Sequence, residues 1–311
     1  MVDIVPSEIS CSTAKEFLQS ISPIGEFFSE SALNSPWIFR GQGKDYPLIP
    51  SLFRKNGKIG TLTHRNVGNY SELLSVERDL LVDFFRIADK RGLVLPDDSQ
   101  ELRRNLEEIS SDENLGKKHG GVKITDSALS LMALAQHYGI PTRLLDWTLS
   151  SYIAAFFAAE DANRNIEERD PSEKLIIWSF YFPNFWKQTL YGGDTFLIRG
   201  ITAPSASNPN LKAQQGVFTL MHPGSTEERS GNYRYKPLDE ILADYARSSS
   251  PERWLLDCKL QKFSLPISET SHLLFLLAKM DITPSSVYPG YHSIVDDLKN
   301  KNIWSQLTSN E

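Results

Sequence analysis

Only two cysteines, Cys11 and Cys258, occur in 311 residues, and they lack CxxC spacing. That excludes a disulfide framework and a thiolate zinc site, and it fits a reducing compartment. The histidines (His64, His119, His137, His222, His272 and His292) follow no metal-ligand spacing, so no metal is expected. GxGxxG after a strand, GxxxxGK[ST], GxSxG and HExxH are all absent, which removes the nucleotide, hydrolase and metalloprotease classes that carry such motifs. No run approaches the roughly 18 apolar residues that a membrane span needs, and the opening MVDIVPSEISCSTAKEF has no basic stretch leading into an apolar one. The expectation is a soluble, cytoplasmic protein with no membrane partner. Basic charge is not in excess either: a net charge of -6 and a pI near 5.6 argue against broad binding to nucleic acid or anionic lipid.

What is present is an ordinary globular composition, 40% hydrophobic and 11% aromatic, long enough to bury a substantial core. Periodicity predicts a short helix over Thr13–Ile21 capped by Ser12 or Thr13, and a strand over Trp37–Gln42 that ends near Gly41. Helices are predicted for Ser71–Lys90, Gln100–Ser110 and Asp126–Tyr138, then a short strand or extended turn over Arg143–Trp147 and a buried helix from Ser150 to Asn163. The charged run Glu160–Lys174 reads as a solvated loop, and Ile201–Asn210 as another. Strands follow at Leu175–Phe182, Gly216–Met221 and Cys258–Leu265, with helices at Ser268–Met280 and His292–Lys299. With no repeat and no low-complexity linker, the economical reading is a single α+β domain over residues 31–300. A helical lead-in (1–30) precedes it and a tail (301–311) follows.

The segment from Leu131 to Ala159 is the most informative, because Gln136, His137, Arg143, Asp146 and Trp147 sit between two apolar helical runs. Charges are almost never buried without partners, so Arg143 and Asp146 call for either an ion pair or the floor of a site. Glu77 falls on the apolar face of its helix and needs a partner for the same reason. Arg40, at a strand end before Gly41, offers a planar fork of donors to a phosphate or carboxylate, and the glycine permits close backbone approach. One polar network joining Arg40, Glu77, Gln136, Arg143 and Asp146 would satisfy all five residues. It would serve as core cement or as a ligand pocket, and both readings stay open at this point.

Phe39-Arg40-Gly41-Gln42, followed by His137-Tyr138-Gly139-x-Pro141-Thr142-Arg143-Leu144-Leu145-Asp146-Trp147-Thr148 and the apolar helix Tyr152–Ala159, resembles the FRG domain family. The helix bearing Glu77, the stretch Ala213–Phe218 and Val287-Tyr288-Pro289 extend the resemblance across roughly Pro36–Lys299. The order of an aromatic-Arg strand, a strand ending in Thr or Ser that opens an apolar helix, and a later Gln-containing strand is also similar to ADP-ribosyltransferases. That likeness implies a mixed or antiparallel β core with helical insertions and an NAD or nucleotide ligand. Arg40 and Arg143 would hold phosphate, Tyr138 or Trp147 would stack on a ring, and Gln42, His137 and Thr148 would line the pocket. Where those enzymes place a glutamate, this chain has Gln214-Gln215-Gly216, so Glu77 or Asp146 would have to supply the carboxylate near the ribose.

The resemblance thus implies NAD cleavage or transfer in a toxin or defence role, with an unidentified protein partner or acceptor. The competing expectation is a non-catalytic module whose polar cluster is structural and whose surface binds a protein or nucleic acid. A nucleic-acid surface would use Lys117-Lys118-His119 with Arg103 and Arg104, although charge clusters of this kind are usually a solvated face.

Overall fold

The computed structural model describes residues 7–28, 37–54, 59–63, 70–111, 126–164, 166, 169–182, 197–202, 209–222, 235–247 and 258–308. Its strands are β1 (Ser7–Ser10), β2 (Trp37–Gln42), β3 (Leu144–Thr148), β4 (Lys174–Tyr181), β5 (Leu197–Ile201), β6 (Gly216–His222) and β7 (Lys259–Pro266). The helices are α1 (Ala14–Ser20), α2 (Ile59–Leu62), α3 (Tyr70–Lys90), α4 (Gln100–Ser111), α5 (Asp126–His137) and α6 (Ser151–Asn163). They continue with α7 (Pro209–Ala213), α8 (Leu238–Ala246), α9 (Thr270–Ala278), α10 (Pro284–Val287) and α11 (Tyr291–Thr308). No described helix is long and apolar enough to cross a membrane.

One mixed sheet in the order β1-β7-β4-β2-β3-β6-β5 forms the centre of this α+β fold, with every neighbouring pair antiparallel except β1 and β7. The run Leu175–Phe180 is buried throughout, and apolar except for Ser179, because both faces of β4 are covered. Leu175 and Ile177 pack with α1, α6 and α9, whereas Ile176, Trp178 and Phe180 pack with Trp147, Leu238 and Leu242 on the other face. A third cluster sets α3 and α5 against β3 and β6 through Leu81, Met132, Leu144 and Phe218.

The sheet is nearly divided in two. β2 pairs with β4 over six residues, from Trp37 to Gln42, yet it meets β3 through the single pair Phe39 and Thr148. Beyond that pair the strands part, and a rift opens beside Arg40, Gly41 and Gln42. The apolar helix α6, capped by Ser150, lies close against β2. A Cβ on Gly41 would stand 1.9 Å from the Ala154 carbonyl oxygen and 2.8 Å from the Ala158 nitrogen, and a Cβ on Gly43 would stand 2.4 Å from the Ala162 nitrogen. The close approach at Gly41 is therefore made by helix backbone and not by a ligand.

Several boundaries differ from the sequence reading. The strand expected at Arg143–Trp147 starts one residue later, because Arg143 occupies a bend. The N-terminal segment contributes the edge strand β1 as well as a helix, and the stretch assigned to a loop at Ile201–Asn210 contains the last residue of β5 and the start of α7. The final helix continues past Lys299 to Thr308. Lys117, Lys118 and His119 lie outside the described residues, while Arg103 is held by Asp89 and Asp98 at 2.7 Å each.

The single five-residue network separates into two. Glu77 and Arg143 are 0% and 1% exposed and bind each other: Arg143 donates from its backbone N (2.6 Å) and Nε (2.5 Å) to the two carboxylate oxygens, and Nη2 lies 2.5 Å from Oε2. This pair fixes α3 to the start of β3. Removing one member of such a pair strands a buried charge, at a cost of about 3–5 kcal/mol. Glu77→Ala should lose stability of that order in urea denaturation, and a loss below about 1 kcal/mol would contradict the assignment. For Gly41→Ala the added methyl collides with helix backbone, so overpacking should cost about 1–3 kcal/mol or more. An unchanged urea midpoint for this variant would show that α6 is not seated on β2 as described.

Candidate functional site

The rift opens into a cleft of about 670 Å³, within the size range of small-molecule sites. One wall is α6 with Tyr288, the other is formed by β3, β6 and His137, and Arg40, Tyr46 and Arg54 lie where the two halves of the sheet part.

Arg40 spans the gap. Its Nη1 donates to the Asp146 backbone oxygen at 2.8 Å and lies 2.7 Å from Oδ2, so one guanidinium ties β2 to β3 where their ladder has ended. Gln136 donates to the other carboxylate oxygen of Asp146 at 3.3 Å and accepts from the Thr142 hydroxyl, which orients the carboxylate from the α5 side. Arg54 stands near both. Burial, and then the Arg40 charge, lower its pKa, with Asp146 partly offsetting them. Protein atoms crowded around the cleft floor push the Asp146 pKa upward although its side chain stays more than half exposed, but the charge and hydrogen bond of Arg40 outweigh this, with help from Arg54, and hold the carboxyl below its ordinary value. Arg40 alone contacts the carboxylate, while Arg54 donates from Nε to the Ile49 carbonyl oxygen at 2.9 Å, so two guanidinium groups near one carboxylate leave a net positive charge at the rift.

The other residues named from sequence divide clearly. Gln42 lines the cleft but is 4% exposed, and its Oε1 accepts from Trp178 Nε1 at 3.1 Å. His137 lines the cleft with Nε2 3.0 Å from Asn210 Nδ2. Thr148 also lines it, but its hydroxyl donates to the Gln214 carbonyl oxygen at 2.7 Å and accepts from Ser150 N at 3.1 Å, which locks the end of β3 to the start of β6.

Trp147 borders the cleft but is 4% exposed, donates from Nε1 to Thr219 at 2.9 Å and packs on Phe180, so its ring face is not open to a ligand. Tyr138 is 70% exposed, lies beside Phe84 and is not part of the cleft. Glu77 and Arg143 are likewise absent from its lining, because each is consumed by the other.

The sequence reading missed Tyr46, Arg54, Glu160, Asp161, Arg164 and Tyr288. The sequence reading places Glu160 and Asp161 both at the end of the helix over Ser150–Asn163 and at the start of a solvated charged run; they belong to the last turn of α6 and follow Phe157 at the i+3 and i+4 positions of one helix face, with Arg164 at i+7. Asp161 accepts from Gly43 N at 2.8 Å, and Arg169 donates to the carbonyl oxygens of Gly43 and Asp161 at 2.7 Å each, which clamps the end of α6 to the end of β2. The hydroxyl of Tyr288 donates to Glu160 at 2.6 Å. Among the described residues no group of three His, Cys, Asp or Glu side chains is placed to hold a metal ion.

Fold and site together define an α+β domain with a charged cleft at a split in its sheet. Residues 35–167 match the family model of the FRG domain, and the chain carries an FRG domain. The matched stretch includes β2, β3, α6 and both ion pairs, whereas β4 to β7 and Tyr288 lie beyond it. Searches of curated proteins and of solved structures returned no match.

The lowered pKa of Asp146 has a consequence for stability. A carboxyl whose folded pKa lies below its unfolded value contributes stability that is complete above the unfolded value, about 3.9, and is lost as pH falls through the folded one. Stability of the wild type should therefore fall faster than that of Asp146→Asn below about pH 4. Near pH 7 the two should differ by about 1 kcal/mol or less, because Asp146 is 58% exposed and screened by water. Parallel stability curves from pH 3 to 7 would contradict this.

Proposed function

We propose that the cleft binds the phosphates of NAD or a related nucleotide, in an arrangement like that of ADP-ribosyltransferases. The observation that carries this reading is that Arg40, paired with Asp146, and Arg54 line the cleft together at the rift, where guanidinium donors and a net positive charge face a cleft of nucleotide size. The three stretches to which the resemblance points, around Arg40, Thr148 and Gln214–Gly216, fall on β2, β3 and the start of β6, which are consecutive in the sheet. Arg40 and Arg54 hold phosphate, His137 and Gln42 border the ligand, and Tyr46 takes the ring-facing role first given to Tyr138 or Trp147, since it is 47% exposed on the cleft. Asp146 keeps Arg40 in place. The cleft has carboxylates for chemistry at a ribose in Asp146 and Asp161, although none stands at Gln214. A toxin or defence role would follow from NAD cleavage or transfer here.

A second reading, a binding module without catalysis, is favoured by the glutamine at position 214 and by the ion pair that already occupies Arg40. Ligand that binds only the folded state raises its stability in proportion to the logarithm of concentration over Kd. The melting temperature of the wild type should rise with millimolar NAD and with ADP-ribose. Arg40→Ala should fold, because the carboxylate it leaves is solvated, and should lose the rise. No shift in the wild type, or an equal shift in Arg40→Ala, would contradict nucleotide binding at Arg40; a shift with no NAD consumption would favour the second reading.

A further inference from the structure

The α6 wall of the cleft has a chemistry opposite to that of the rift. Phe157 and Tyr288 are half-buried rings on this wall, with centroids 6.1 Å apart and planes inclined at 55°. Beside them Glu160 is about one-third exposed and accepts the Tyr288 hydroxyl through Oε2. Burial, and then the hydrogen bond to Glu160, raise the phenol pKa, so Tyr288 remains the donor in this bond at ordinary pH. Two ring surfaces next to a carboxylate make a corner suited to a flat organic cation, which the rings attract through their electron-rich faces and the carboxylate through its charge. The cation now nearest is Arg164, 3.5 Å from Glu160 and 68% exposed. It is an exposed i,i+4 pair, of a weakly stabilising kind, so a ligand can displace it.

We propose that this corner selects the cationic ring of its ligand, so that the cleft takes the oxidised, pyridinium form of a nicotinamide dinucleotide over the reduced, neutral-ring form. Arg40 and Arg54 hold the phosphates common to both forms, and Glu160, Phe157 and Tyr288 read the charge of the ring. The proposal rests on the nucleotide reading above and adds a discriminating residue to it.

The test is titration of the full chain with NAD⁺, NADH and ADP-ribose, for the wild type and for Glu160→Gln, which keeps an acceptor for Tyr288 and removes the charge. The wild type should bind NAD⁺ about tenfold more tightly than NADH. Glu160→Gln should bring that ratio close to one and leave the affinity for ADP-ribose, which lacks the ring, unchanged. Equal wild-type affinity for NAD⁺ and NADH alongside clear ADP-ribose binding would overturn the selection and leave the nucleotide reading standing. A preference that survives Glu160→Gln would remove Glu160 from the role. Failure of all three ligands to bind would overturn both. The wild-type comparison decides the matter even if Glu160→Gln does not fold.

Discussion

The organisation of this molecule depends on the point where β2 leaves β3. A sheet in which two central strands share one residue pair has to close the resulting gap by other means, since backbone groups withdrawn from a ladder need partners. Arg40 supplies part of the closure by donating to the backbone and the carboxylate of Asp146. On the opposite side, α6 is drawn against β2 by the absence of side chains at Gly41 and Gly43 and clamped by Arg169. The cleft is what remains between these two attachments, so the features that hold the fold together are also those that shape the site.

Burial and partnership separate two ion pairs that are adjacent in sequence. Arg143 and Asp146 are three residues apart, yet one lies in the core and the other on the cleft. The bend at Arg143 turns its side chain to Glu77 on α3, and the alternation of β3 then places Asp146 and Thr148 on the face opposite Leu145 and Trp147. A buried pair with three short contacts contributes order between elements, whereas a pair at a cleft edge keeps donors and charge available to a ligand.

The elements were largely legible because apolar spacing reports which face of a helix or strand is covered. Trp37–Gln42, the helix bearing Glu77 and the helix after Ser150 emerged within a residue or two. The site was less legible. Glu160 and Asp161 continue the helical spacing of Phe157, a readable signal, but the charges that follow them to Lys174 resemble a solvated loop. Arg54 and Tyr288 come from segments far apart in sequence and reach the cleft only through tertiary packing. Tyr138 and Trp147 show the converse: their neighbours in the motif are site residues, but one ring points away and the other is sealed into the core.

The central claim is that the rift between β2 and β3 is a nucleotide site in which Arg40 and Arg54 meet the phosphates. The most direct test is a crystal structure of the chain grown with saturating ADP-ribose. The account predicts ligand density in the cleft, with pyrophosphate oxygens within hydrogen-bond distance of Arg40 and Arg54 and with Glu77 and Arg143 still paired beneath. An empty cleft, or ligand bound away from the rift, would contradict it.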